Sequence, residues 1–531
     1  MFHRSLLAAV FLVLRWTIAS AQTSSGTAGL SGTWEGQLLL GTNWRFLEAR
    51  FGTAGDNSGA RVDLPQDRRE FRDFTVSGTR LRWTLARGQD QIRFDGALVG
   101  DVIRGTVEQN QLRGEFQLVR TSRTGGSREL DLTGTYRTSQ GDLISVARYD
   151  FGDGVDRLAL METRAGLWGA LLPVGADRYT VAPARSGRFP TLLRAAFTRG
   201  AGGLGSTVSV TGADSAAIVG RRVTSYHARD ISFANSGVTL AGEVISPDSS
   251  GPHAVIVMVH SSGNQSRNGP VAYFRLIANL LAANGITTLV YDKRGVAQST
   301  GDWRTATYRD LAEDVRAAIA AVRRLANVDP QRVGLWGLSQ AGWVAPLAAE
   351  GSDVAFLALI STAAVTPAQQ EIDRVAAVMR ANRASQEDIE SAARYLRTFF
   401  EVVARRQPWD QLRAAMAETA GASWLRYVPR PQTERDVGWQ PEPSTLDPAP
   451  LLSSLRAPVL AIHGGNDVDV SPSLNSALYS RVSTHPESRQ RVFDRADHFL
   501  LEEIDDPDRE YRRLSPGFLK LMIDWLLRVS R

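Results

Sequence analysis

The spacing of hydrophobic positions changes character twice along this chain. An apolar run from Leu6 to Leu14 comes first. From about residue 22 to 225, apolar residues then fall in short alternating segments between turns of Gly, Asp, Asn and Ser. Gly32–Leu39, Arg80–Leu85, Ile92–Leu98, Val102–Glu108 and Leu112–Val119 read this way. Arg80-Leu81-Arg82-Trp83-Thr84-Leu85 alternates residue by residue, as a strand with one buried face does. A second set begins near Leu130–Tyr136 and runs through Ile144–Tyr149, Arg157–Met161 and Arg178–Val181 to Leu192–Thr198. The pattern predicts two antiparallel β modules, 28–125 and 128–222. Gly200–Gly205 is expected to be a loop, and about 218–228 a linker.

From about residue 229 short apolar runs alternate with amphipathic stretches, which predicts a mainly parallel sheet flanked by helices. Val238–Ile245 is expected in an opening antiparallel edge. Ala254–Val259 is unbroken apolar sequence, so a strand buried on both faces, and it ends in His260-Ser261-Ser262-Gly263. A helix over Val271–Ala283 and a strand over Ile286–Tyr291 follow, the latter ending in Asp292-Lys293-Arg294-Gly295. Next come a helix over Tyr308–Leu325 and strands over Arg332–Trp336 and Val354–Ile360. The alternation stops across 363–450. Helices are expected there over Ala368–Arg380, Gln386–Ala404 and Trp409–Ala417, before a stretch rich in Pro and Trp. This is an insertion at one edge of the sheet. The pattern resumes with Pro458-Val459-Leu460-Ala461-Ile462-His463-Gly464-Gly465-Asn466-Asp467. A last strand at Arg489–Phe493 and a closing helix over Pro516–Leu527 complete it.

Composition narrows the function classes. A chain of 531 residues is too long for one core and implies several domains. The absence of Cys removes disulfides, thiolate metal sites and a thiol nucleophile. Only 7 His leave little room for a multi-histidine metal cluster. The net charge of +5 is small, lysine occurs only at 293 and 520, and no basic block suggests nucleic-acid binding. At the N-terminus, His3 and Arg4 precede the apolar run, and Ala19-Ser20-Ala21 supplies a small-x-small cleavage site. Residues 1–21 are therefore expected to be a signal peptide, and the mature protein periplasmic or secreted, without stable membrane insertion.

The candidate chemistry centres on Gly337-Leu338-Ser339-Gln340-Ala341-Gly342. A strand, a sharp turn at the serine and a helix from Ala341 would leave the Ser339 hydroxyl exposed at the edge of a parallel sheet. Alanine stands at 341 where glycine is usual, which makes the motif less specific. A serine hydroxyl is a weak nucleophile at neutral pH and needs a base, with an acid holding that base in the right tautomer.

These residues, with Asp292-Lys293-Arg294-Gly295 and His463-Gly464-Gly465-Asn466-Asp467, carry a resemblance. Residues 229–531 look like an α/β-hydrolase, close to bacterial esterases and related serine peptidases. The resemblance implies a doubly wound, mostly parallel sheet with a helical lid at 363–450, and a Ser–Asp–His triad in that chain order. The module at 28–125 loosely resembles small β-barrels that precede the catalytic domain in some bacterial serine hydrolases. Ser31-Gly32-Thr33-Trp34-Glu35-Gly36, Phe94-Asp95-Gly96 and Ile103-Arg104-Gly105 carry that likeness.

The base is found by elimination. His3 lies in the signal, His227 in the linker, and His253 and His260 precede the nucleophile. His463 points into the acid loop and His485 sits in a polar loop. His498 follows the last strand, where a loop can bring it over the serine. Asp467 takes the position the resemblance assigns to the acid, with Asp469 as the alternative. Asp494 and Asp497 read as turn residues, and the charges of 292–295 as ties between loops. The oxyanion hole needs two backbone N–H groups. One is expected from Gln340 and the other from Ser262, with Ser261 as runner-up; family members often carry glycine where Ser261 stands.

The expected activity is hydrolysis of carboxylic esters through an acyl-enzyme, on a small hydrophobic ester, with neither metal nor organic cofactor. Trp409, Trp424, Tyr427 and Trp439 are expected to form an apolar wall in the insertion. Two other readings stand beside it. A peptidase or amidase of the same fold would need a clamp for an amine, for which Glu401, Glu418 or Asp410 are available. A β-barrel binding protein with an inert hydrolase domain is the other.

Overall fold

The computed structural model describes residues 29–40, 43–52, 60–62, 68–109, 112–122, 131–150, 156–183, 193–212, 216–223, 226–437, 444–502 and 512–531. The expected signal peptide and Trp439 lie outside these residues.

The first β module is a closed barrel of eight antiparallel strands. They are β1 (Gly32–Leu40), β2 (Asn43–Phe51), β3 (Ala60–Val62), β4 (Arg68–Ser77), β5 (Arg80–Arg87), β6 (Asp90–Val99), β7 (Val102–Gln109) and β8 (Leu112–Thr121). β8 returns to pair with β1, which leaves no open edge. Its interior is packed with Trp34, Phe51, Trp83, Phe94 and Phe116, and the Trp83 and Phe94 rings stack at 4.7 Å. The alternating pattern did not reveal β2 to β4. In β4 the register shifts between Arg72 and Thr75, where Asp73 has φ 54°, so the period of two is broken.

The second module is also a closed barrel. Its strands are β9 (Gly134–Thr138), β10 (Leu143–Tyr149), β11 (Arg157–Glu162), β12 (Trp168–Gly175), β13 (Arg178–Pro183), β14 (Arg194–Arg199), β15 (Gly205–Thr211) and β16 (Ile218–Val223). Two expectations are corrected here. Leu192–Thr198 is not the last strand, and 218–228 is not a linker. β16 pairs with β9 to close the barrel, with Arg222 donating to the carbonyls of Thr133 and Asp131. The next strand, β17, already starts at Tyr226 and contains His227. β12 escaped notice because both its faces are buried: one lines the barrel and the other meets the helices of the large sheet that follows, so polar residues never alternate.

The third unit is an eight-stranded sheet in the order β17-β18-β20-β19-β21-β22-β23-β24. Here β17 is Tyr226–Asn235, β18 Val238–Pro247, β19 His253–Val259, β20 Thr287–Tyr291, β21 Val328–Leu338, β22 Phe356–Ile360, β23 Val459–Gly464 and β24 Arg489–Phe493. β17 and β18 are the antiparallel edge, and the strands from β20 to β24 run parallel. The central strands β20, β22 and β23 are wholly buried, as unbroken apolar runs require. Helices α1 (Tyr273–Ala282), α2 (Tyr308–Val322) and α3 (Ala341–Ala349) cover the sheet, with the later α8 (Pro472–Val482) and α9 (Phe518–Val529). A short pair, β25 (Leu501–Glu502) and β26 (Arg513–Leu514), follows the last main strand.

The insertion forms α4 (Pro367–Ala381), α5 (Gln386–Val403) and α6 (Trp409–Glu418), with α7 (Ala449–Ser454) leading back to the sheet. It has a core of its own, which includes Met379, Leu396, Phe399, Leu412 and Trp424. Thr366 and Ser385 cap α4 and α5 through their side-chain oxygens.

The second barrel is built into the third unit. One continuous core runs from Tyr149, Met161 and Trp168 through Tyr273 and Phe274 to Phe499 and Phe518. The Trp168 ring lies 4.6 Å from Tyr273 and 6.2 Å from Phe499, and its indole N–H donates to the Val271 carbonyl at 3.1 Å. The two barrels meet through a buried ion pair, Arg157 with Glu48 at 3.4 Å.

Candidate active site

Parallel strands leave their C-terminal ends along one edge, and ligands of such sheets bind there. Five loops in this chain carry chemistry to that edge: after β19 (His260–Gly263), after β20 (Asp292–Gly295), after β21 (Ser339), after β23 (Gly465–Val470) and after β24 (Asp494–Leu500).

Ser339 is held in the left-handed region, φ 56°. For a residue with a Cβ this conformation is strained and must be fixed by its surroundings. The Ser339 N–H donates to the Ile360 carbonyl at 3.0 Å, and its own carbonyl accepts from the Gly342 N–H at 3.0 Å. The strand therefore turns sharply into α3, with the serine at the apex. Ala341 fits because Gly337 faces it: a Cβ on Gly337 would lie 2.2 Å from the Ala341 Cβ.

Asp467 and His498, 31 residues apart, meet. The Asp467 Oδ2 lies 2.8 Å from the His498 Nδ1, and the Asp467 side chain is fully buried. The other carboxylate oxygen accepts the backbone N–H groups of Asp469 and Val470, both at 2.8 Å. The carboxylate is thus aimed by its own loop. Gly464 allows the approach, since a Cβ there would come within 2.2 Å of the Asp497 carbonyl. Asp497 shapes the turn around the histidine: its Oδ1 accepts the N–H groups of Phe499 and Leu501, and its Oδ2 pairs with Arg512 at 2.7 Å. Burial alone presses the His498 pKa down. The charge and hydrogen bond of Asp467, helped by Asp469 and Asp497, outweigh burial and hold it above the ordinary histidine range. Asp469 itself is exposed, and its backbone carbonyl accepts from Gln370 of α4.

The other histidines are occupied elsewhere. His463 is buried against the Thr362 carbonyl at 3.0 Å, and His260 against the Tyr291 carbonyl at 2.6 Å. His253 bonds the Ser249 carbonyl, His485 accepts the Glu487 N–H, and His227 pairs with Asp248. Among the described residues, Asp467, Asp469 and His498 are the one group close enough to share a metal ion. Two of the three are already bonded to each other.

Of the two loops expected to supply oxyanion N–H groups, one is buried at Ser261 and exposed at Ser262; Gln340 opens α3. They are joined by a residue that sequence reasoning treated only as a tie between loops. The buried Lys293 donates to the Ser261 carbonyl at 3.1 Å, the Gly263 carbonyl at 3.3 Å and the Gln340 Oε1 at 2.9 Å. Its neighbours do similar work: Asp292 holds Arg267 at 2.7 Å, and Arg294 grips Asp314 of α2 with two bonds of 2.7 Å. The signal was present in the sequence, in a chain with 61 Lys and Arg that keeps lysine at only two positions.

The expected apolar wall is corrected in part. Trp424 is buried in the lid's own core beside Tyr395, and Trp409 and Tyr427 pack on that core. Beside the elbow lies a separate buried apolar cluster, Trp343 with Ala363 and Val470, extended by Tyr308 stacked on Trp343 at 5.4 Å. Asp410 and Glu401 are surface residues paired with Arg413 and Arg406, and Glu418 is exposed.

Residues 236–500 match the family of X-Pro dipeptidyl-peptidases, the S15 family. Esterase EstD of Thermotoga maritima is 24% identical over 283 residues, which is 51% of this chain and 61% of that protein. Quorum-quenching protein AidA of Acinetobacter baumannii is 32% identical over 114 residues, 21% of this chain and 36% of that protein. The chain thus spans less than two thirds of either relative. Among solved structures, an esterase of Pyrococcus furiosus aligns with 16% identity and a TM-score of 0.37, over 57% of this chain and 90% of its own.

Proposed function

We propose that this chain, which belongs to the α/β-hydrolase superfamily from about residue 229 onward, hydrolyses carboxylic esters through an acyl-enzyme on Ser339. The Ser339 Oγ attacks the ester carbonyl while His498 takes its proton. The carbonyl oxygen becomes an oxyanion that accepts the backbone N–H groups of Ser262 and Gln340. The C–O bond to the alcohol then breaks, and His498 returns the proton to the departing alkoxide. Water, deprotonated by His498, attacks the acyl carbon; the bond to Oγ breaks, His498 returns the proton to Oγ, and the carboxylic acid leaves. Asp467 keeps the His498 Nδ1 as the donor, so that Nε2 is the base.

The observation that carries this reading is the buried Asp467–His498 bond of 2.8 Å, with the second carboxylate oxygen pinned by two backbone N–H groups. Fixing an acid this tightly serves little purpose unless the histidine beside it must be oriented. The run 6–14 followed by Ala19-Ser20-Ala21 supports export to the periplasm or beyond.

One observation favours a second reading. The match of 236–500 to X-Pro dipeptidyl-peptidases points to amide substrates. The discriminating experiment measures the purified protein on p-nitrophenyl esters of graded length and on aminoacyl and Xaa-Pro nitroanilides. The Ser339→Ala variant is the control. Turnover of esters that is lost in that variant supports the esterase; turnover of anilides without esters replaces it with the peptidase. Ester turnover that survives in the variant removes the mechanism.

A further inference from the structure

This inference rests on the acyl-enzyme reading of Ser339, and it concerns Lys293. Lys520, the chain's other lysine, is 76% exposed and pairs with Asp524. Lys293 is buried, 2% exposed. An ammonium has three N–H bonds. Those of Lys293 point to three acceptors on two segments: Ser261 and Gly263 at either side of Ser262, and the side chain of Gln340. Ser262 and Gln340 are the residues whose backbone N–H groups face the oxyanion in the mechanism above. We propose that Lys293 is a positioning residue of the oxyanion hole. Its buried cation clamps the loop after β19 to the residue after Ser339, which sets the spacing of the two N–H groups, and it adds positive charge where negative charge develops.

The partners of the cation argue against a merely structural tether. All three are neutral oxygens. The nearby carboxylate, Asp314, has both oxygens bound to Arg294 at 2.7 Å, and Asn235 donates to one of them at 2.8 Å. A buried cation without a carboxylate of its own is costly, and a neutral donor would hold a loop more cheaply. The charge gains a use when an oxyanion forms beside it. Arginine, which this chain uses elsewhere, does not fit the role. A planar guanidinium cannot send three bonds from one nitrogen to acceptors on separate segments.

The surroundings give the device a pH signature. Burial pulls the Lys293 pKa down to about 7, against the charge of Asp314. Of the groups packed around it, His260 and Tyr291 are both shifted away from that range. His260 at the end of β19 is pulled down to about 3 by burial and by the Lys293 charge. Asp292 is bound by Arg267, and burial pushes the Tyr291 phenol far up. The indole of Trp303, whose ring centre lies 5.9 Å away, does not titrate. Above neutrality Lys293 loses its charge and one of its three N–H bonds, so ester turnover should decline on the alkaline side.

The test uses the full chain and a p-nitrophenyl ester, comparing wild type with Lys293→Met across the neutral and alkaline range. The expected result is a kcat lower by about 10²-fold, the loss seen when an oxyanion donor is removed. KM should change little, and the alkaline decline should disappear. A trifluoromethyl ketone, which forms a tetrahedral adduct with the serine, should lose affinity in step with kcat. An unchanged kcat, or a lowered kcat with the alkaline decline intact, overturns the proposal. If Lys293→Met does not fold, Gln340→Met decides: it keeps the backbone N–H and the lysine's bonds to the Ser262 loop. A lowered kcat at steady KM supports the clamp, and an unchanged kcat overturns it. Ser339→Ala separates the two levels. Activity surviving there removes the acyl-enzyme reading itself, whereas an inactive Ser339→Ala beside a normal Lys293→Met removes only the clamp.

Discussion

Replacing Ser339 by glycine should give a protein more stable than replacing it by alanine, although both should be inactive on esters. The prediction follows from the backbone at the elbow. Ser339 sits at φ 56°, fixed by its bonds to Ile360 and Gly342, both 3.0 Å. In the left-handed region a Cβ crowds the following carbonyl, at a cost of roughly 1–2 kcal/mol. Alanine keeps the Cβ and the strain. Glycine removes both, but its unfolded chain is freer by about 0.5–1 kcal/mol. The difference leaves glycine ahead of alanine by about 0.5–1 kcal/mol. In a unit the size of the hydrolase sheet and its helices, that is a rise in Tm of roughly 2 °C or slightly less. Calorimetry of the two variants at one scan rate measures it, with the p-nitrophenyl ester assay run beside it. A glycine variant that melts at or below the alanine variant would refute the view that the elbow stores strain in order to present its serine.

Three further predictions concern the same edge of the sheet. Asp467→Asn should lower kcat by about 10⁴-fold, because the amide favours the wrong histidine tautomer. It also removes the group that raises the His498 pKa. A raised histidine pKa stabilises the fold fully below the unfolded value of 6.5 and ceases to do so as pH rises through the folded value. The variant should therefore lose stability chiefly on the acid side, and the acid limb of its residual activity should move to lower pH. An acid limb that stays in place would contradict the assignment. Ala341→Gly, which restores the more usual elbow residue, should lower stability by about 1 kcal/mol through helix propensity alone and leave kcat near wild type; a large fall in kcat would show that the alanine has a catalytic role. Trp168→Ala should remove the prop between the second barrel and Phe499, next to His498. It should cost roughly 3–5 kcal/mol and lower kcat more than KM changes. Unaltered kinetics in the folded variant would mean that the barrel does not steady the base loop.

The sequence made the sheet legible because its central strands are buried on both faces, so Ala254–Val259 and Val459–Ile462 stand out as apolar runs with loop chemistry at their ends. The pairing of Asp467 with His498 was legible for the same reason, since each residue lies in a loop that follows a strand end. The barrels were read less fully. β4 carries a bulge that breaks its alternation, and β12 is buried on one face by its own barrel and on the other by the helices of the eight-stranded sheet. A period-two search cannot find either. The lid aromatics misled because an insertion of this size needs a core, and Trp424 is spent there instead of facing a substrate. Lys293 was underread because its importance lies in where three acceptors converge, and the acceptors Ser261, Gly263 and Gln340 are 32, 30 and 47 residues away from it.

The two departures from the usual hydrolase pattern, Ser261 and Ala341, have local explanations. The backbone at Ser261 does not turn through positive φ, so a Cβ is not strained there. Its carbonyl is held by Lys293, so a side chain can be carried without freeing the loop. At the elbow the space that glycine would leave at 341 is supplied from the other side by Gly337. Both substitutions are tolerated because a neighbour already provides what glycine would give: a fixed carbonyl in one case, a missing Cβ in the other. Asp292, Lys293 and Arg294 extend the same logic. From one strand end, Asp292 holds Arg267, Lys293 holds Ser261, Gly263 and Gln340, and Arg294 holds Asp314 on α2. Three consecutive side chains thereby fix three separate segments around the serine. Geometry that a glycine-rich loop would set through its own backbone is set here from outside, by buried charge.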